Sequence, residues 1–547
     1  EYCHAMGNGP GDLEDYWEVI LADEHACGGF VWEWCDHTVL AGRDETGREI
    51  HLYGGDHGET VHDANFCVDG LVASDRTPHA GLLELKNVQR PARVVDYDQE
   101  RGLVTLRNDL DFTDLDQYVR LSYEVRCDGA VVESGPLELP GPVPPHSIVT
   151  LRCAPAVPDA GRCHLLITSR LRRQVPLLEP GHELGFDEIP LANADPRHRA
   201  VAKALGPVAE ALEAGADVAA RPNGAVGCAD PAGAVGAGSA VGAGSAADAA
   251  DAVRDGCETT LTGGDLTVVV DTRSGLPRSL RVGDRELLDR PMELNIWRAP
   301  TDNDRHIRRQ WERAGYDRAG AQAYSTRIIR RRGAVAVHAE MSVSATALQP
   351  ALRVRAVWTV TESGELAVNL RARKSEGFPC LPRFGLRLFL PSSMHQVAYY
   401  GLGPGESYID KHRSCHHDEF RTTVAELHEG CIRPQESGSR ADCDYVALTE
   451  GADDALELTA VGLRPFSFNV SAYTQEELTE TAHDAELSPC GSTVLCLDGA
   501  MAGIGSASCG PELRPDYRVD EDALGLDLVL LPLISSPIPN SAHNEVN

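Results

Sequence analysis

Lysine is nearly missing from this sequence. Of its 50 basic residues only Lys86, Lys203, Lys374 and Lys411 are not arginine. With abundant Ala, Gly, Asp and Arg, this is the codon bias of a GC-rich genome, so the arginine content calls for no arginine-dependent function. No run of about 18 apolar residues occurs, which excludes a membrane-spanning helix. Basic charge is also in deficit, 50 residues against 83 acidic ones for a net −33. Such a surface repels phosphate backbones and argues against a nucleic-acid partner. The CxxC, HExxH, GxxxxGK[ST] and GxGxxG fingerprints are all absent. The 16 cysteines show no regular framework and are read as reduced, mostly buried thiols of a cytoplasmic protein. What remains is ordinary globular composition, 42% hydrophobic and 24% charged over 547 residues, enough for three or four domains.

The chain opens on Glu1 with no apolar leader after it. Its first nine residues, Glu1-Tyr2-Cys3-His4-Ala5-Met6-Gly7-Asn8-Gly9, have the form of a strand end running into a loop, so the numbering is read as starting inside a fold. Residues 1–90 alternate between helical and extended patterns. A helix is expected over 13–22, after the breakers Gly9, Pro10 and Gly11, and a buried strand over 28–34. A long loop over 36–75 follows, then a helix opened by Thr77-Pro78 with Leu82, Leu83, Leu85 and Val88 facing inward. Two such β-α steps predict part of a parallel (β/α)8 barrel.

Residues 91–185 carry short alternating strands and turns such as Asp128-Gly129, the pattern of an immunoglobulin-like β-sandwich. Residues 186–256 are rich in Ala, Gly, Asp and Ser, with a hexapeptide repeated in tandem over 235–246. A flexible linker is expected there, with a helix near 200–214. Residues 257–547 return to strands and predict a large β-sandwich. The fold class is therefore multidomain and mostly β.

Glu1 sits where a parallel barrel presents catalytic groups, at the C-terminal end of a strand. His4, Asn8, Trp32, Glu33, Asp36, Asp56, Asp63 and Asp69 lie near it in sequence. Carboxylates, hydroxyl-reading polar groups and tryptophan are the ingredients of a sugar site, although an exposed terminal glutamate is an equal reading of Glu1. Trp34 is read as core. Alternation along a strand turns Glu33 away from Trp32. His416-His417-Asp418-Glu419 has metal-binding residue types, but adjacent histidines point apart in extended chain, so it is read as a solvated loop.

Several ordered motifs resemble the large bacterial β-galactosidases of glycoside hydrolase family 2. They are the opening nonapeptide, Gly28-Gly29-Phe30-Val31-Trp32-Glu33-Trp34, Tyr53-Gly54-Gly55-Asp56, Asn65 to Leu71 and Ser74 to His79. Trp297 to Asp304, Tyr400 to Tyr408, Pro434-Gln435-Glu436-Ser437-Gly438 and Phe466 to Ser471 continue the likeness. The resemblance implies the last two β-α steps of the barrel, an Ig-like domain and the large C-terminal sandwich. It implies hydrolysis of terminal β-D-galactosides such as lactose by retaining double displacement. Glu1 then aligns with the nucleophile and His4 with the residue that reads galactose hydroxyls. Trp32 aligns with the platform under the sugar, and Phe66 (through its carbonyl) and Asp69 with ligands of a sodium ion. Cys509 takes the place of an aglycone-side tryptophan. Sodium and magnesium are implied. The magnesium ligands and the acid/base carboxylate belong to earlier family segments not found in this chain, so a fragment inactive alone is expected. Cytoplasmic location and homo-oligomerisation of the complete enzyme are also implied. The competing readings are another family 2 glycosidase, β-glucuronidase or β-mannosidase, and a non-catalytic sugar-binding or assembly subunit that needs a partner chain.

Overall fold

The computed structural model describes residues 2–208, 250–451 and 455–535, mostly as strand. Glu1 and the tandem hexapeptide lie outside them. No helix among the described residues is long and apolar enough to cross a membrane.

The first unit is a piece of parallel β/α structure. Strands β1 (Cys3–His4) and β2 (Val31–Trp32) pair in parallel, with His4 opposite Trp32. Helix α1 (Leu13–Ala22) connects them, and buried Leu13 packs with Cys3 and with Val88 of helix α2 (Ala80–Val88). Three expectations change here. The 28–34 run is not buried: Phe30 is 83% and Trp34 60% exposed, because among the described residues no layer covers this two-stranded sheet. The 36–75 loop contains an antiparallel hairpin, Val39–Arg43 with Glu49–Leu52. Asp44 closes it by accepting from the Thr46 N–H and hydroxyl and from the Arg48 N–H. In α2, Leu83 is exposed, and the buried face carries Glu84 and Asn87. Those two polar side chains meet the backbone of the other domains. Glu84 accepts from the His412 and Ser414 N–H groups, and Asn87 exchanges hydrogen bonds with the Phe186 backbone. Backbone in need of partners thus shares the inner face of this helix with Val88, which packs on Leu13 and Cys3.

The second unit is a seven-strand sandwich. One sheet orders Ala92–Asp98, Leu103–Asn108 and Ile148–Arg152. The other orders Glu183–Leu191, Cys163–Leu171, Val119–Cys127 and Ala130–Leu137. Alternate residues such as Val104, Leu106, Val125, Leu165 and Ile167 fill the space between them. Cys127 and Cys163 face each other across neighbouring strands as a disulfide pair, while most of the other described cysteines are free thiols.

The tract read as linker loses residues at both ends. Strand Glu183–Leu191 pairs along the sandwich, a helix covers Arg199–Leu205, and Asp251–Asp255 begins the next sheet. The third unit joins a five-stranded sheet to a twelve-stranded one over a shared core. The fully buried Trp358 spans the two sheets, its indole N–H donating to the Gly275 carbonyl at 2.8 Å.

Candidate functional site

β1 ends at His4, and the Ala5 N–H donates to the Trp32 carbonyl, so the two strands remain zipped where the side chains leave them. The turn after Asn65 is tied to β2 by backbone: Glu33 N–H donates to the Asp69 carbonyl and Leu71 N–H to the Glu33 carbonyl. This register puts the His4 Nε2 3.6 Å from Asp69 Oδ2, with both side chains buried. The Phe66 ring lies 5.9 Å from the His4 ring. Trp32 stays half exposed beside them. Gly70 permits the approach. A Cβ there would lie 2.2 Å from the Asp36 nitrogen, while the Gly70 N–H donates to the Asp36 carboxylate at 2.8 Å.

Asp69 is the electrostatic centre. Burial, then the charges of Glu33 and Asp36, push its carboxyl up to about 6, partly offset by Trp32. Its Oδ1 is buried and accepts no hydrogen bond among the described residues. A buried, hard oxygen crowded by other carboxylates suits a hard cation, so the residue fits the sodium role that the sequence assigned to it.

His4, Trp32, Phe66 and Asp69 are thus brought together. Glu1 lies outside the described residues. Cys509 belongs to a loop of the third unit. Arg305 links that loop to the site, its guanidinium lying 5.0 Å above the Phe66 ring and donating to the Ser508 carbonyl at 3.1 Å. Asp56 is not in the site; it pairs with His483 at 2.8 Å. Asp63 is exposed, and Glu33 pairs with His37 at 3.2 Å.

The sequence reading missed the third unit's part in building this site. Asp302 and Gln435 hold Asn65 and Asn8, the residues beside Phe66 and just past β1. The motifs Trp297 to Asp304 and Pro434 to Gly438 carried the signal, but no spacing rule assigned them a place.

The His416 to Glu419 segment is a strand, His416–Thr423, and not a solvated loop. His417 is buried between domains. Its Nδ1 lies 2.7 Å from Glu188 and its Nε2 2.8 Å from Asp442, and both groups are supplied by other strands. With His164 these are metal-ligating residue types. The two imidazoles, however, stack within 1° of parallel, so their in-plane lone pairs cannot converge on one ion.

Three family profiles match the chain in order. "Glycosyl hydrolases family 2, TIM barrel domain" covers residues 1–94, "Beta-galactosidase, domain 4" covers 104–192 and "Beta galactosidase small chain" covers 262–530. The chain belongs to glycoside hydrolase family 2. Its likeness is to the C-terminal part of the large bacterial β-galactosidases. The β-galactosidase of Actinobacillus pleuropneumoniae is 36% identical over 95% of this chain and 46% of its own length. That of Staphylococcus xylosus is 33% identical over 95% and 48%, and that of Arthrobacter sp. (strain B7) 30% identical over 96% and 49%. This family 2 chain therefore spans about half the length of the curated relatives it matches. Among solved structures, a galactose 1-epimerase from Lactobacillus acidophilus aligns with 52% of this chain and 98% of its own at TM-score 0.29 and 9% identity, too slight a likeness to indicate a shared fold.

Proposed function

We propose that this chain supplies the nucleophile side of a retaining β-galactosidase that acts on terminal β-D-galactosides of the lactose type. The observation that carries the proposal is the convergence of His4, Trp32 and Asp69 from three separate sequence motifs beside the strand that Glu1 precedes. In this reading Glu1 attacks the anomeric carbon and the leaving oxygen takes a proton from a second carboxylate. Water then releases the galactose. His4 and Asp69 read sugar hydroxyls, Trp32 covers an apolar face and the loop of Cys509 borders the aglycone. Phe66, through its carbonyl, and Asp69 would hold sodium, which supplies a fixed positive charge beside the sugar. Magnesium and the acid/base carboxylate are assigned to the part of the relatives' length that these 547 residues do not align with. Cytoplasmic location and homo-oligomerisation of the complete enzyme belong to the same proposal.

The test is turnover of chromogenic glycosides. The 547-residue chain alone is expected to leave a β-galactoside intact, since double displacement requires both carboxylates. Co-expression with the N-terminal half of a relative is expected to restore galactoside turnover, without glucuronide or mannoside turnover. Hydrolysis by the chain alone, or a preference for mannoside or glucuronide, would refute the assignment.

A further inference from the structure

Past the buried pair Ala5-Met6, the segment leaving β1 is Gly7-Asn8-Gly9-Pro10-Gly11, which has almost no side chain to pack with. Glycine leaves backbone direction underdetermined, so something outside the segment must fix where β1 ends. Asn8 is the one residue of the five with a polar side chain, and that side chain is buried. Among the described residues its side-chain partners belong to the third unit. Its Nδ2 donates to the Glu436 carbonyl at 2.7 Å and to the Tyr408 hydroxyl at 3.2 Å. Its backbone N–H donates to Gln435 Oε1 at 3.1 Å. Lys411 Nζ donates to Asn8 Oδ1 at 2.7 Å and to the Asn8 carbonyl at 3.0 Å.

Lys411 has one further donor, which goes to Glu406 Oε1 at 2.5 Å, and the other Glu406 oxygen accepts from the Gly438 N–H at 2.8 Å. All three ammonium hydrogens are therefore used inside the protein. Burial works against the charge, but the charge and hydrogen bond of Glu406 outweigh it and raise the Lys411 pKa, so the ammonium persists. An ion pair buried this completely is a poor source of net stability, and its geometric specificity is what distinguishes it from an apolar contact. Asn8 lies four residues after His4, so a shift of the clamp carries into the strand end that faces Asp69.

We propose that Lys411 is a positioning residue for the sugar site: by holding Asn8 from the C-terminal sandwich, it fixes β1 and therefore the distance of His4 from Asp69. The proposal rests on the sugar-site reading given above. The experiment uses the 547-residue chain with two readouts, amide hydrogen exchange and binding of isopropyl β-D-thiogalactoside followed by tryptophan fluorescence. In Lys411→Met, exchange over residues 2–12 is expected to rise by about tenfold or more while residues 352–374 stay protected. Asn8→Ala removes the side-chain contact to Lys411 and the Nδ2 bonds to Glu436 and Tyr408 while leaving the sandwich's own residues unchanged, and should raise exchange over residues 2–12 likewise. Lys411→Arg keeps the charge and should restore protection. Thiogalactoside affinity should fall about tenfold in Lys411→Met and Asn8→Ala and return in Lys411→Arg. Unchanged exchange over 2–12 in both variants, or an equal rise over 352–374 in both, overturns the proposal. If the unaltered chain binds no thiogalactoside, the sugar-site reading fails, while the exchange arm still decides whether Lys411 fixes β1.

Discussion

His417 stacks on His164 with ring centroids 4.4 Å apart, and the two imidazoles carry opposite protonation preferences. Burial drives His164 down to about 4, so it is neutral in the fold. Burial also disfavours the charge on His417, but hydrogen bonds to Asp442 and Glu188 outweigh this and raise its pKa. Arg162 beside them pairs with Asp442 and Asp444. The stability contributed by neutral His164 is present above about pH 6.5 and is lost as pH falls toward 4. That of protonated His417 is present below 6.5 and is lost as pH rises through its raised pKa. The Ig-like unit should therefore dock most firmly near neutrality. Denaturant unfolding against pH should show an acid limb of at most about 3 kcal/mol that vanishes in His164→Leu. It should also show an alkaline limb that vanishes in His417→Gln. Limbs that survive both substitutions would place the titration elsewhere.

Arg383 is fully buried between Asp498 and Glu436, which it meets at 2.5 and 3.1 Å. Its removal leaves two carboxylates in the core of the large sandwich without their cation. Arg383→Leu is expected to cost about 3–5 kcal/mol in unfolding free energy. Arg383→Leu combined with Asp498→Leu should recover part of that loss. A single substitution costing under about 1 kcal/mol would mean that water or a cation reaches these carboxylates.

Gly70 to Ala is a local test of the site. The added carbon would meet the Cys35–Asp36 backbone at 2.2–2.4 Å, and backbone cannot rotate aside as a side chain can. Thiogalactoside affinity should drop by at least about tenfold while the far-UV circular dichroism of the chain is unchanged. Retained affinity would show that the spacing of Asp36 and Asp69 does not shape the pocket.

Elements were legible where pattern and environment agreed. The alternating strands of the Ig-like sandwich follow from periodicity because each buries its apolar face in its own domain. Helix Leu13–Ala22 forms where periodicity put it, although Leu13 is its one buried residue. The inner face of α2 followed in part: Val88 is buried and Leu85 packs beside it, but Leu83 is exposed, and Glu84 and Asn87 are buried by backbone partners distant in sequence. Trp34 reads as core from its place deeper in the motif than Trp32, yet it is exposed, with no covering layer among the described residues. His416-His417 reads as a loop because its partners, Glu188 and Asp442, come from elsewhere in the chain. His4, Trp32 and Asp69 were found through motifs. Their dependence on Asp302, Gln435 and Lys411 required the fold, because those contacts span hundreds of residues.

In the proposed function, the strand carrying His4 belongs to a galactoside-cleaving site with Glu1 as its nucleophile. The most direct measurement is trapping of the covalent intermediate with a 2-deoxy-2-fluoro-β-galactoside, in an enzyme completed by co-expression of an N-terminal half, followed by peptide mass mapping. One sugar adduct is expected on the peptide holding residues 1–8, located at Glu1 and lost in Glu1→Gln. An adduct on the peptide holding residues 32–34, at Glu33, would contradict it.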